Sequence, residues 1–458
     1  MRLDLQRRLP WIKQLRQVGA RYQLSGILHY CVPTLVLSAA FSTWRHGRAR
    51  NRGGSRCSPL SIIVFRLDGI GDVVLSSAML RELRRLYATA RITLVVSSST
   101  RSLVEHCPYV DEVLYKPTGF DSLNSLIVDL KVMGAFSRRR LCWRRWDLAI
   151  VPRWDADIYF ATLMSLYAGA TRRVAFTRNS SAGKRCLNWG FDSLCTDVLP
   201  SGPPRHEVDR TLEVVRYLGG HIESTDLELW LTAADAAYAE TSWSGFGLTG
   251  SEAVIAFGIG AGHRRRRWPA RAFAALIDIL RSSLEFVPAI VCGNDELSLA
   301  REVQKFTDAR LLLLQQPSLR QTAAFLSRCA LFIGNDSGPM HMAAAAGIPV
   351  VEISCHPADG DPDDAHSPTR FGAFTTHAVV VQPHGAKKPC SGGCSSMEAH
   401  CIMEVLPAQV AEAATRLFQE CTSMPTQQPC RLSPNITRSH LASRGETRSG
   451  AHLYLPAV

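Results

Sequence analysis

The feature that most constrains this chain is an alternation that occurs twice. Short β-branched runs alternate with segments whose apolar residues recur at helical spacing, first from Ser61 and again from Ala253. In the first half, 61–65, 91–96, 111–115 and 147–151 are predicted strands. The stretch 73–87 places Val74, Ala78, Leu80, Leu83 and Leu86 near helical spacing. In the second half, strands are predicted at 253–257, 288–292, 311–314, 330–333 and 348–353. Helices are expected from Pro269, Glu296, Arg320 and Ser337. Such alternation builds parallel sheets covered by helices, and fully apolar runs such as Ile62–Phe65 fit burial on both faces.

At 458 residues the chain exceeds one ordinary core. The rhythm divides it into a basic extension (1–56), a first α/β domain (57–220), a connection (221–250), a second α/β domain (251–421) and a tail (422–458). Residues 177–205 gain Gly, Ser and Pro and read as a loop region ahead of a helix over 206–218. The tail is expected to be disordered.

The net charge of +12 is concentrated at the front, where residues 1–56 hold eleven Lys/Arg against one Asp. The globular body is close to neutral, which argues against a nucleic-acid groove built into the fold. A basic arm suits an anionic surface such as the inner face of a cytoplasmic membrane. Within it, 24–41 is apolar but carries His29 and Pro33. An interfacial helix and a disordered extension both remain open readings. The fourteen cysteines are mostly scattered, which fits a reducing cytoplasm; Cys107, Cys292 and Cys329 read as buried thiols.

Three loops between a strand and a helix carry chemistry. In Arg66-Leu-Asp-Gly-Ile-Gly-Asp72, Gly69 and Gly71 are expected to allow a sharp turn and close approach to a ligand. Asp72, at the helix start, either caps the helix or faces a cleft. This is neither a dinucleotide fingerprint nor a Walker loop. In Gly258-Ile-Gly-Ala-Gly262-His-Arg-Arg-Arg-Arg267, glycine amides at Gly260 and Gly262 and the guanidinium groups suit a diphosphate. In Gly334-Asn-Asp-Ser-Gly-Pro-Met-His341, Asp336 and Ser337 suit sugar hydroxyls and Gly338 opens a helix whose N-terminus suits phosphate. His341 lies on that helix. A plain turn followed by a cap is the alternative. Glu296, after Cys292-Gly-Asn-Asp, either meets ribose hydroxyls or caps a helix.

Together with Pro108–Val113 and Arg266-Arg-Trp-Pro269, these segments resemble glycosyltransferase family nine, the heptosyltransferases of lipopolysaccharide core assembly, over about residues 60–418. The resemblance implies an α/β GT-B fold with two Rossmann-like domains facing across a cleft, acceptor in front and sugar nucleotide behind. It implies inverting transfer of heptose from ADP-heptose to a lipopolysaccharide-core glycolipid, with no cofactor and no obligatory metal. Asp72 matches the catalytic base. Gly260, Gly262, Arg266, Ser337 and Gly338 correspond to the diphosphate site. Glu296 corresponds to the nucleoside site, and Asp336 with His341 to the donor-sugar site. Arg266 stands where the family carries lysine. Cys390, Cys394 and Cys401, with His384 and His400 nearby, are zinc ligands by type but read as packing thiols. Two rivals remain: a nucleotide-sugar epimerase of the same fold, and a non-catalytic partner in envelope polysaccharide assembly.

Overall fold

A computed structural model describes residues 60–117, 125–314 and 317–423. The basic extension, its apolar stretch at 24–41 and nearly all of the expected tail lie outside the described residues. No described helix is long and apolar enough to cross a membrane.

Twelve strands form two six-stranded sheets, every pairing parallel. The front sheet runs β3-β2-β1-β4-β5-β6, from β1 (Ser61–Arg66), β2 (Arg91–Ser97), β3 (Glu112–Lys116), β4 (Leu148–Val151), β5 (Arg172–Phe176) and β6 (Asp197–Leu199). The rear sheet runs β12-β11-β10-β7-β8-β9, from β7 (Val254–Gly258), β8 (Val287–Val291), β9 (Leu312–Leu313), β10 (Leu331–Asn335), β11 (Val350–Ile353) and β12 (Ala378–Val381). Both sheets therefore have the doubly wound order, with the chain reversing direction between β1 and β4 and between β7 and β10. At those points adjacent loops diverge to opposite faces and leave a crevice at the strand ends. These are the two parallel sheets that the alternation implied, in the GT-B arrangement that the resemblance implied.

Three strands escape the sequence pattern. β5 opens on two arginines, and Arg173 is buried because it donates to Leu194 O and Ala170 O, at 2.6 Å each. β6 is a three-residue edge strand within the stretch expected to be loop, and that stretch also holds the Ala182–Leu187 helix. β12 is the rear edge, and its residues are mostly half-exposed. Edge strands bury less apolar surface, so their periodicity is weak.

The halves are packed together rather than merely tethered. One continuous apolar cluster includes Val73, Val74 and Leu212 from the front and Phe325, Met340 and Met342 from the rear. The connection contributes the Ala233–Gly245 helix, whose Thr232 and Asp235 form a capping box and whose Trp243 stacks near Phe325 at 5.4 Å. Cys107 and Cys329 are buried as expected, whereas Cys292 is half-exposed at the end of β8.

Candidate active site

The loops that leave β1 and β4 in front, and β7 and β10 behind, enclose one cavity of about 500 Å³. Its walls include Asp72 and Arg66 from the front and Arg266, Asp336 and Ser337 from the rear. Gly262, Gly338 and His341 also line it, so seven of the nine anticipated residues converge.

Asp72 is the third residue of the Ile70–Leu75 helix. The N-cap position is Gly69, in extended conformation with no side-chain cap. Asp72 is therefore not the N-cap residue; its carboxylate accepts from the Gly69 backbone and about a quarter of its side chain is exposed, on the wall of the cavity. Arg66, buried at the end of β1, bonds Asp72 Oδ1 at 3.3 Å and also pairs with Asp68 at 3.2 Å. Burial raises the Asp72 pKa, and nearby Glu207 adds to the rise. Arg66 opposes both, and the net direction is upward. A carboxylate held this way has a stronger appetite for a proton than one in water.

The glycines here serve proximity rather than a turn. Neither Gly69 nor Gly71 has positive φ. A Cβ on Gly71 would run into the His341 ring, and one on Gly338 would sit 2.7 Å from Ile70 Cβ. These two pairs let the Ile70–Leu75 and Gly338–Ala345 helices meet across the crevice. Gly260 is covered by the Glu296 carboxylate and lies outside the cavity, as does Glu296 itself. Glu296 accepts from Gly293 N–H at 3.1 Å and pairs with Arg267 at 3.6 Å, so it has the capping role left open above.

The four arginines do not act together. Residues Arg264–Arg266 form a 3₁₀ turn, which sends successive side chains about a third of a turn apart. Arg264 pairs with Glu398, Arg265 donates to Cys394 O at 3.0 Å, and Arg267 donates to Ala261 O at 2.9 Å. Among the four, Arg266 alone lines the cavity. Its Nη1 bonds Asp336 Oδ2 at 3.1 Å, while its Nε is buried without a partner. Burial works against its charge, but Asp336 outweighs burial and holds the guanidinium firmly protonated. Ser337 Oγ is likewise buried without a partner at the start of the Gly338–Ala345 helix. Arg370 Nε and His341 Nδ1, on two further lining residues, are also buried without partners. Buried polar atoms are nearly always satisfied in folded proteins, so such a concentration around one cavity marks a place for ligand atoms. His341 is buried, and burial lowers its pKa to about 4, so its ring is neutral.

Several wall residues carry no strong signal in the sequence. Arg370 is fully buried, donating to Glu207 at 2.7 Å and to Asp155 at 3.2 Å, with its guanidinium 4.5 Å from the Trp154 ring centre. Arg210 stacks on the same indole at 3.5 Å. Burial disfavours the Asp155 carboxylate, but Arg370 and Arg153 outweigh it and hold the group well below its usual range. The position of Arg153-Trp154-Asp155 at the end of β4 was the available clue, since loops at a switch point build the site. Glu207 and Arg370 lie far apart in sequence and are joined only by the fold.

Residues 137–399 match the family described as glycosyltransferase family 9 (heptosyltransferase), more than half of the chain. The chain belongs to glycosyltransferase family 9. The Arg66–Asp72 loop lies ahead of the matched stretch. Among the relatives of this glycosyltransferase, the lipopolysaccharide core heptosyltransferase OpsX of Haemophilus influenzae is 22% identical over 341 residues, covering 72% of this chain and 87% of that protein. Lipooligosaccharide heptosyltransferase 2 of Haemophilus ducreyi is 24% identical over 382 residues, covering 78% and 99%. Among solved structures, a family 9 glycosyltransferase from Veillonella parvula superposes with a TM-score of 0.65 at 22% identity, covering 80% of this chain and all of that one. The E. coli ADP-heptose LPS heptosyltransferase II gives 0.56 at 20% identity, covering 79% and 99%.

Proposed function

We propose that this family 9 enzyme transfers a heptose from ADP-heptose to a lipopolysaccharide-core acceptor, with inversion at the anomeric carbon and Asp72 as general base. The observation that carries the reading is the shared cavity, in which a carboxylate of raised proton affinity faces a cationic pocket with unsatisfied donors. The relatives' names supply the sugar and the acceptor class.

In this mechanism the acceptor hydroxyl lies against Asp72 and gives its proton to the carboxylate. The acceptor oxygen attacks the anomeric carbon from the face opposite the diphosphate, and the bond to the diphosphate breaks. The charge that develops on the leaving group meets Arg266 Nε, Ser337 Oγ and the N-terminus of the Gly338–Ala345 helix. Asp336 and His341 hold the donor sugar, and Asp336 also fixes the Arg266 fork. Gly262 and Gly338 shape the diphosphate side, Gly260 backs that loop from beneath the Glu296 carboxylate, and Glu296 lies towards the nucleoside. The first domain (57–220) holds the acceptor and the second (251–421) holds the donor, joined through 221–250. The basic residues of 1–56 bring the enzyme to the anionic cytoplasmic face of the membrane, where a glycolipid acceptor is presented.

The test is incubation with ADP-heptose and a core acceptor lacking its outer heptose, followed by mass and anomeric NMR analysis of the product. Transfer with inverted configuration is expected. Conversion of the sugar nucleotide without acceptor would instead indicate an epimerase and overturn the reading.

A further inference from the structure

Behind the donor pocket, residues 382–400 contain no helix or strand, yet the segment is packed into the core. A long irregular segment inside a compact domain calls for something that holds it. At its centre, donor atoms of Cys390, Cys394, His400 and Cys401 all lie within 4.8 Å of one another. Cys394 and Cys401 are almost wholly buried, and Cys390 is 8% exposed. His400 Nδ1 stands 3.5 Å from Cys390 Sγ and 3.5 Å from Cys401 Sγ. His384, the other histidine noted in the sequence, is exposed and outside the group. All four side chains are neutral-ligand or thiol types, and the three thiols are free.

We propose that Cys390, Cys394, His400 and Cys401 form a structural zinc site. Bond lengths of about 2.3 Å to sulfur and about 2.0 Å to nitrogen in a tetrahedron place ligand S and N atoms roughly 3.5 Å apart. The two S···N separations already have that value. Three thiolates and one imidazole are a ligand set that zinc takes in closed structural sites. Ser395 supports the shell, its N–H donating to Cys390 Sγ at 3.4 Å and its hydroxyl at 3.5 Å, as outer hydrogen bonds to ligating sulfur do elsewhere. The segment so stapled braces the arginine turn from behind. Cys394 O receives Arg265, Glu398 pairs with Arg264, and Val405 O accepts from Trp268 Nε1 at 3.0 Å. The ion would thus hold the scaffold of Arg266 without touching the cavity. This assignment does not depend on the transfer reaction, because its readouts are metal content, thiol reactivity and metal spectra.

The experiment is elemental analysis of the full chain purified under reducing conditions, with and without zinc reconstitution. One zinc per chain is expected, with a sharp fall in Cys390→Ser and Cys401→Ser and full retention in Cys329→Ser, a buried thiol elsewhere. Should the cysteine variants fail to fold, titrating the wild-type chain with an organomercurial must release zinc in step with thiol modification. Cobalt substitution should give the intense visible bands of tetrahedral thiolate ligation. Absence of bound zinc after reconstitution, retention of zinc in Cys390→Ser, a disulfide among these cysteines, or a different metal on the same ligands would each overturn the assignment.

Discussion

The roles proposed for Asp72 and Arg266 can be tested apart from folding, whereas the proton on Glu352 is read through stability. Asp72→Asn keeps the shape of the side chain and removes its proton affinity. Transfer should fall by roughly 10²–10⁴-fold, the usual worth of a general base, while ADP affinity measured by calorimetry stays close to wild type. Near-normal turnover in that variant would remove Asp72 from the mechanism. Arg266→Ala should weaken ADP binding by about ten- to a hundredfold, the loss of a charge-assisted hydrogen bond. Arg266→Lys should recover much of it; equal affinity in all three proteins would exclude this residue from the diphosphate site. Glu352, buried on β11, accepts from Ala373 N–H at 2.9 Å. Burial, with Asp336 adding to it, raises its pKa to about 8 from 4.5. The folded chain thus retains a proton that the unfolded chain releases. Its contribution to stability is full below about pH 4.5 and is lost as pH rises towards 8. Glu352→Gln should flatten that part of the stability–pH profile in urea titrations. An unchanged slope would mean that Glu352 titrates normally.

At the scale of elements, the decisive contact is between two helix N-termini. Gly71 lies in the Ile70–Leu75 helix, where alanine would ordinarily stabilise by about 1 kcal/mol. Here the added Cβ meets His341, so the sign should reverse and Gly71→Ala should destabilise by about 1–3 kcal/mol. Combined with His341→Ala, which removes the obstructing ring, the cost of the alanine should largely disappear. Strict additivity in the double-mutant cycle would show that the two side chains do not meet. The same helix contact explains why the sequence could suggest glycines in this loop but not their reason. Their neighbours come from a segment some 270 residues away, as the numbers 71 and 341 make plain.

For the molecule as a whole, Arg370 connects the two sheets. It comes from the segment between β11 and β12, and its partners Glu207 and Asp155 belong to the front half. Replacing it with methionine strips the buried Glu207 of its bonded cation and leaves Asp155 with Arg153 alone. The expected loss is about 3–5 kcal/mol in urea unfolding, the cost typical of breaking a buried ion pair from one side. A change below about 1 kcal/mol, the size of an exposed ion pair, would show that water already screens the network. Arg370, which also lines the cavity, thus couples the stability of the crevice to the geometry of the site.

The alternation of apolar runs was enough to specify two parallel α/β sheets, because strands buried on both faces must be hydrophobic and the helices covering them must be amphipathic. Loop position at strand ends pointed to Asp72, Arg266 and the Asp336–His341 segment for the same topological reason. The sequence did not reveal β5, which opens on two arginines, or β6 and β12, short strands at the sheet edges. It also could not distribute the four consecutive arginines, since a 3₁₀ turn over the first three and an extended fourth send each one to a different neighbour. Nor could it assemble Arg370 with Glu207, or His400 with three cysteines. Those groupings depend on distances between segments remote in sequence, and only tertiary packing, which buries their charges and ligand atoms side by side, makes them a unit.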